Sequence, residues 1–268
     1  MNASKNHPCA PIVLRRTVRA GLFGPSRAGA NGFAGIPPAT AFEGHHEITV
    51  AWRGEPDPVT GYLIGIQHVD ALVRTHVWPE LRAAAERGDS PSAIIVRLAA
   101  VVSAGAPPRG SLDSLSWAPS PFIEHRWDHH MPDHALLIET FEFSASHRLH
   151  CPQLSDEENR VTFGKCNHPG GHGHNYRVAV AVRVPAGSGA HGFPVDRLER
   201  IVNEAVIDRF DHRHLNADCP EFATINPSVE NIARVCHGLL EPRFVGTGAE
   251  LEHVEVWETQ KTSARYPA

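Results

Sequence analysis

The sequence predicts an α+β protein built as two successive units, each an antiparallel sheet with paired helices on one face. Three observations predict it. A glycine followed by apolar residues occurs twice, as Gly61-Tyr62-Leu63-Ile64 and as Gly192-Phe193-Pro194-Val195. Each copy leads into apolar residues at helical spacing, Val69, Leu72 and Val73 in one and Leu198, Ile201 and Val202 in the other. A Pro-Ser pair then opens a second apolar helix in both, at Pro91-Ser92 and at Pro227-Ser228. The units are set at residues 11–127 and 135–268.

The elements follow in order. Residues 13–20 and 137–143 are expected as the first strands. Ile48-Thr49-Val50-Ala51-Trp52 and Val178-Ala179-Val180-Ala181-Val182 alternate as second strands should. Next come the first helix and then the second, whose apolar faces are Ile94, Ile95, Leu98 and Val101 in one half and Ile232, Val235 and Leu239 in the other. Strand regions at 112–127 and 251–266 close the halves. Between the halves, His125, His129, His130 and His134 read as a polar linker.

Composition narrows the class. Hydrophobic residues at 41% and charged residues at 21% are an ordinary globular mix. A formal charge of -5 gives no general attraction to nucleic acid or anionic membrane, so an anionic substrate needs local cations. Arg148, Lys165, Arg213 and Lys261 are the candidates. No run approaches the roughly 20 apolar residues of a spanning helix. Ile12-Val13-Leu14 is too short for the core of a signal peptide. Five cysteines without framework spacing point to free thiols and a reducing, cytoplasmic setting.

The 19 histidines direct attention to metal chemistry. In His172-Gly173-His174 the two imidazoles fall on one face if the segment is a strand, because successive residues point to opposite faces. His147 ends the alternating run Phe141-Glu142-Phe143-Ser144-Ala145-Ser146-His147 and completes a set of three. Three imidazoles with an open position make a catalytic zinc site, whereas a structural site is closed by four ligands. Alone, His-x-His on a strand is weak evidence, and Cys166 alone reads as a small buried residue.

The surrounding motifs remove much of that ambiguity. Phe-Ser-Ala-Ser-His147, Cys166 followed after five residues by His172-Gly173-His174-Asn175-Tyr176, Asp211-His212, Pro227-Ser228-Val229-Glu230-Asn231 and Glu258-Thr259 occur in one register. Together they resemble the 6-pyruvoyltetrahydropterin synthase family over nearly all of 136–266. The resemblance implies a tunnelling fold and Zn2+ on His147, His172 and His174. It makes Cys166 the proton-abstracting base, Asp211 and His212 its proton-shuttling partners, and Glu258 the anchor of the pterin ring. Ser228 lies in the pterin pocket, beside a Val229 where the family often has a second threonine. Lys165 and a histidine are expected to lower the Cys166 pKa. Glu230 reads as a helix-capping acid, and Cys151, Cys219 and Cys236 as structural. His150, His168 and His214 read as outer or surface groups.

The implied reaction is elimination of triphosphate from 7,8-dihydroneopterin triphosphate to give 6-pyruvoyltetrahydropterin. The alternatives are a 6-carboxytetrahydropterin synthase, which releases acetaldehyde and triphosphate, and a catalytically idle pterin- or metal-binding assembly protein. The spacing of Cys166 to His172 favours the pyruvoyl type. In the first half Gly44-His45-His46 falls near the place of His-Gly-His, residues 20–33 offer no match to His147, and Pro119 stands where Glu258 stands. That half is expected to be a degenerate copy without a metal. The family resemblance also implies a homo-oligomer with sites between neighbouring subunits. A trimer is expected, with an active ring stacked on an inactive one.

Overall fold

The computed structural model describes residues 10–21, 45–187 and 192–268. Residues 22–44, which hold most of the stretch searched for a counterpart of His147 and also Gly44, lie outside the described residues, as do Cys9 and His191. The chain divides into two compact units, Met1–Leu137 with Pro185–Gly192, and Ile138–Val184 with Phe193–Ala268. Among the described residues no helix is long and apolar enough to cross a membrane.

The first unit begins with β1 (Ile12–Gly21) and β2 (His45–Gly54). Helices α1 (Ile66–Leu72) and α2 (Trp78–Arg87) follow, joined by a π turn at Val73–Val77, and then α3 (Pro91–Ser103). The region 112–127 proves to be a hairpin of β3 (Gly110–Ser120) and β4 (Ile123–Asp128). The four strands pair in chain order and are antiparallel. Ile48, Val50 and Trp52 alternate onto one face and pack with Val69, Val73, Ile95, Leu98 and Leu115, all fully buried. Ser90 caps α3 by accepting a hydrogen bond from the Ala93 amide, and Pro91 fills the first helical position, where its missing N–H costs nothing. Gly88, at φ 71°, ends α2 in the left-handed conformation that glycine adopts without strain.

The histidine-rich join is not all linker. His125 lies in β4, opposite Trp117 in the strand register, and is buried against it. Burial alone pushes its pKa down to about 4, so it is neutral at pH 7. Its strand period, not its polarity, decides where it goes. His134 opens the next strand, and only His129 and His130 sit in the exposed turn.

The second unit starts with β5 (His134–His147), the capped helix α4 (Asp156–Phe163) and β6 (His172–Pro185). Helices α5 (Val195–Val202) and α6 (Asp208–Phe210) flank a π turn at Asn203–Ile207. Then come the short β7 (Arg213–His214) and α7 (Leu215–Asp218), α8 (Val229–Leu240) and the hairpin of β8 (Glu250–Thr259) and β9 (Thr262–Tyr266). Strand order is β5-β6-β8-β9, with β7 parallel to β5. Tyr176, Val178, Val180, Leu198, Phe210, Ile232, Cys236 and Val256 are fully buried in its core.

The first unit runs strand, strand, helix, π turn, helix, helix, strand, strand, and the second follows the same order with α4 inserted between its first two strands and β7 and α7 inserted before α8. They also share an irregularity. The β2–β3 ladder has a bulge between Ala51 and Trp52, and the β6–β8 ladder has one between Ala181 and Val182. Counting from the bulges sets His46 level with Tyr176 and Pro119 level with Glu258. The helix openings correspond through their caps, Ser90 and Ser228, rather than through the two Pro-Ser pairs: Pro91 is inside its helix, whereas Pro227 precedes the cap.

Candidate metal centre

Strand alternation in β5 and β6 aims His147, His172 and His174 at one point, as the sequence predicts. His147 is fully buried, and its Nδ1 donates to the Pro227 carbonyl at 2.7 Å, just before α8. That bond fixes the ring and turns Nε2 inward, the orientation in which an imidazole serves as a ligand. His147 Nε2 lies 3.2 Å from His172 Nε2. Glu258, on β8, brings Oε1 to 3.1 Å from His147 Nε2 and 3.2 Å from His174 Nε2. Ligand atoms of the four residues all fall within 4.8 Å of one another.

These spacings fit a metal. Zinc bonds nitrogen at about 2.0–2.1 Å, so two donors on a tetrahedron stand about 3.3 Å apart. His174 Nε2 is buried without a hydrogen-bond partner even though Glu258 Oε1 is near, so the two are not aimed at each other. Burial holds the His172 and His174 pKa values below the usual imidazole range, with the neighbouring imidazoles adding to it, which keeps both in the neutral ligand form. Glu258 is held below the usual carboxylate range, chiefly by its close contact with His147.

Cys166 sits in a short 3-10 turn, Gly164–Asn167, and its carbonyl accepts from the Leu149 amide. Its thiol is pushed up, first by burial and then by the Glu258 charge. The expected lowering by Lys165 is absent: that side chain is exposed, and adjacency in sequence did not become adjacency in space. Tyr176, the last residue of the His-Gly-His-Asn-Tyr run, is a site residue that the sequence reading left without a role. Its ring stands at 5.6 Å from that of His174 and its hydroxyl is buried without a partner. The alternation that found His172 and His174 also puts Tyr176 on their face.

Asp211 and His212 are elsewhere. Asp211 accepts from the Ser144 amide and from His212 Nδ1 at 2.7 Å, and the His212 amide donates to the Ser144 carbonyl. His212 has a φ of 57°, uncommon for a residue with a side chain, and its side chain is 83% exposed. The cleft around it is lined by Ser144, Ser146, Gly173, Asn175, Arg213 and His214, and it reaches His174 of the imidazole cluster. Ser144 and Asn175 bond to each other on the face of β5 and β6 that points away from the imidazoles. Cys166 and Glu258 do not line that cleft.

The remaining expectations divide. Ser228 is the N-cap of α8, its hydroxyl accepting from the Asn231 amide. Glu230 lies exposed in the first turn. Arg148 is engaged with Asn167, while Lys165, Arg213 and Lys261 are exposed. His150 contacts Arg148 and Asn167, and His168 accepts from the Gly170 amide. Cys219 and Cys236 are buried, Cys151 partly so, and the described cysteines are unpaired.

A cluster of three histidines, one buried and two half-buried, at the end of an antiparallel sheet gives an α+β protein with a candidate metal site. The family model described as 6-pyruvoyl tetrahydropterin synthase matches residues 137–268. The human 6-pyruvoyl tetrahydrobiopterin synthase is 40% identical over 134 residues, 49% of this chain and 90% of that protein. The Dictyostelium discoideum protein of the same name is 38% identical over 132 residues, 49% of this chain and 94% of its own. A solved structure of Caenorhabditis elegans 6-pyruvoyl tetrahydropterin synthase matches 50% of this chain and 96% of its own at 33% identity and a TM-score of 0.47. The chain belongs to the 6-pyruvoyl tetrahydropterin synthase family.

Proposed function

We propose that the second unit is a zinc-dependent lyase that eliminates triphosphate from 7,8-dihydroneopterin triphosphate to give 6-pyruvoyltetrahydropterin. The observation that carries this is the convergence of three imidazole Nε2 atoms beside Cys166, in a segment that aligns with 90% of the human enzyme's length. His147, His172 and His174 would hold the metal, which supplies Lewis-acid polarisation of a substrate oxygen and acidifies the neighbouring C–H. Cys166 takes the proton. Because burial and Glu258 raise its thiol, the thiolate depends on positive charge supplied by the metal. Pro227 fixes the His147 ring, and the α8 amides capped by Ser228 make the adjoining pocket wall for the pterin.

Asp211 and His212 serve the cysteine of a neighbouring subunit. Their exposure at the β5 edge, in a cleft that Cys166 does not line, supports that reading, and with it a homo-oligomer, for which we favour a trimer. The first unit is a degenerate copy of the second. The common element order, bulge and π turn support a duplication, and Pro119 in the register place of Glu258 supports loss of the site.

The test is mass spectrometry of products after incubating zinc-loaded protein with 7,8-dihydroneopterin triphosphate. A 6-pyruvoyl product is expected. A 6-carboxy product with acetaldehyde would replace the product assignment, and absence of triphosphate release would refute the lyase reading.

A further inference from the structure

We infer that Glu258 is the fourth donor of the metal centre in the substrate-free protein, closing it as a site of three imidazoles and one carboxylate. This rests on the metal reading above and revises the sequence expectation that Glu258 faces only the pterin. Three of the spacings among the four donors are short, 3.2, 3.1 and 3.2 Å for His147–His172, His147–Glu258 and His174–Glu258, and all the donor atoms fall within 4.8 Å of one another. The three short ones are close to the roughly 3.3 Å edges of a tetrahedron drawn with zinc bond lengths of about 2.0–2.1 Å to nitrogen and 2.0–2.2 Å to oxygen, while the His172–Glu258 pair stands wider.

An ordinary histidine–carboxylate ion pair explains less. A hydrogen bond from His147 to Glu258 covers one edge only. His147 Nε2 and His172 Nε2 still face each other, and His174 Nε2 has no hydrogen bond at all despite a carboxylate oxygen at 3.2 Å. No single hydrogen-bond pattern satisfies all four groups, and a shared cation would. The alternative position for Glu258, turned toward a substrate pocket, would leave His174 Nε2 further from any partner.

The consequence is a gated site. With four protein donors the site would have the closed donor set of a structural centre, and the Glu258 carboxylate would have to give way for a substrate oxygen. Glu258 would then shield the site from water in the substrate-free protein and lie beside the substrate once it binds.

Cobalt(II) titration of the metal-stripped full chain tests this, because the visible bands report coordination directly and need no turnover. The wild-type protein is expected to bind one cobalt with intense four-coordinate bands that added acetate leaves unchanged. In Glu258→Ala the affinity should fall at least tenfold, the bands weaken, and acetate restore them by filling the vacated position. Glu258→Gln, closer in shape, should also bind more weakly, and far-ultraviolet circular dichroism checks that both variants fold. Wild-type affinity and bands in both folded variants, with no response to acetate, would overturn the inference while leaving the three-histidine site intact. A wild-type chain that binds no cobalt would overturn the metal reading itself.

Discussion

Glu139 on β5 gives the second unit a pH-dependent stability that one substitution removes. Its side chain is 6% exposed, and its pKa is pushed up to about 8 by burial first and by the neighbouring Glu199 carboxylate second. In the unfolded chain it titrates near the ordinary carboxylate value of 4.5. Between those values the folded state binds more protons than the unfolded one, so stability is full below about pH 4.5 and declines as pH rises toward 8. For a whole proton the slope is about 1.4 kcal/mol per pH unit, which sets an upper bound of about 4–5 kcal/mol over the window. Glu139→Gln holds a neutral group in the same space and should remove most of this slope. The variant is expected to match the wild type at pH 5 and to be more stable at pH 8 by at least about 1 kcal/mol. Urea midpoints at both values, read from hydrogen exchange of β5 and α5 peptides, follow the second unit by itself. Because other titrating groups cancel between the two proteins, equal slopes would refute the assignment of the pH dependence to this carboxyl pair.

Cys166→Ser should abolish triphosphate release while zinc content, measured by plasma mass spectrometry, stays at the wild-type level, since Cys166 is not among the converging donors. Chains carrying Cys166→Ser and chains carrying His212→Ala, each inactive alone, should regain turnover when mixed and reassembled; continued inactivity would place Asp211 and His212 in service to their own subunit. Ser228→Ala removes the α8 cap and should lower stability by about 1 kcal/mol in a denaturant melt, with Ser228→Gly costing only a few tenths.

The sequence made the imidazoles legible because their geometry is local. Period two in β6 aligns His172 with His174, and no long-range contact is needed to see it. Glu258 is different. It lies on a strand far along the chain, and only the β6–β8 register, with its bulge between Ala181 and Val182, carries it level with the cluster. A bulge slips the pairing by one residue, and nothing in the alternation of Val178 to Val182 announces it. The Cys166 thiol was misjudged for a related reason: the 3-10 turn sends Lys165 outward, and the charge that acts on Cys166 is the distant carboxylate. Asp211 and His212 were legible as a pair, but not the face they occupy. That depends on the left-handed backbone at His212 and on β7 running parallel to β5. His125 shows the reverse error, where polarity suggested a linker and strand period put the ring in the core.

The two units retain the same backbone irregularities but not the same chemistry, and the asymmetry predicts a metal count. A bulge and a π turn each insert a residue and shift everything beyond them, so losing either would misplace a whole strand or helix face. A ligand is lost by one substitution. In the first unit His46 stands level with Tyr176 and is occupied with Trp117, whose Nε1 donates to His46 Nδ1 at 3.0 Å, and Pro119 offers no donor at the place of Glu258. The other histidine packed there, His125, is kept neutral by burial against the same tryptophan. We therefore expect one tightly held zinc per chain after dialysis, falling to zero in His172→Ala, where the three-imidazole site loses one of its donors. A stoichiometry near two per chain, or a residual zinc in His172→Ala that disappears with His46→Ala, would show that the first unit has kept a centre of its own and would refute its assignment as a degenerate copy.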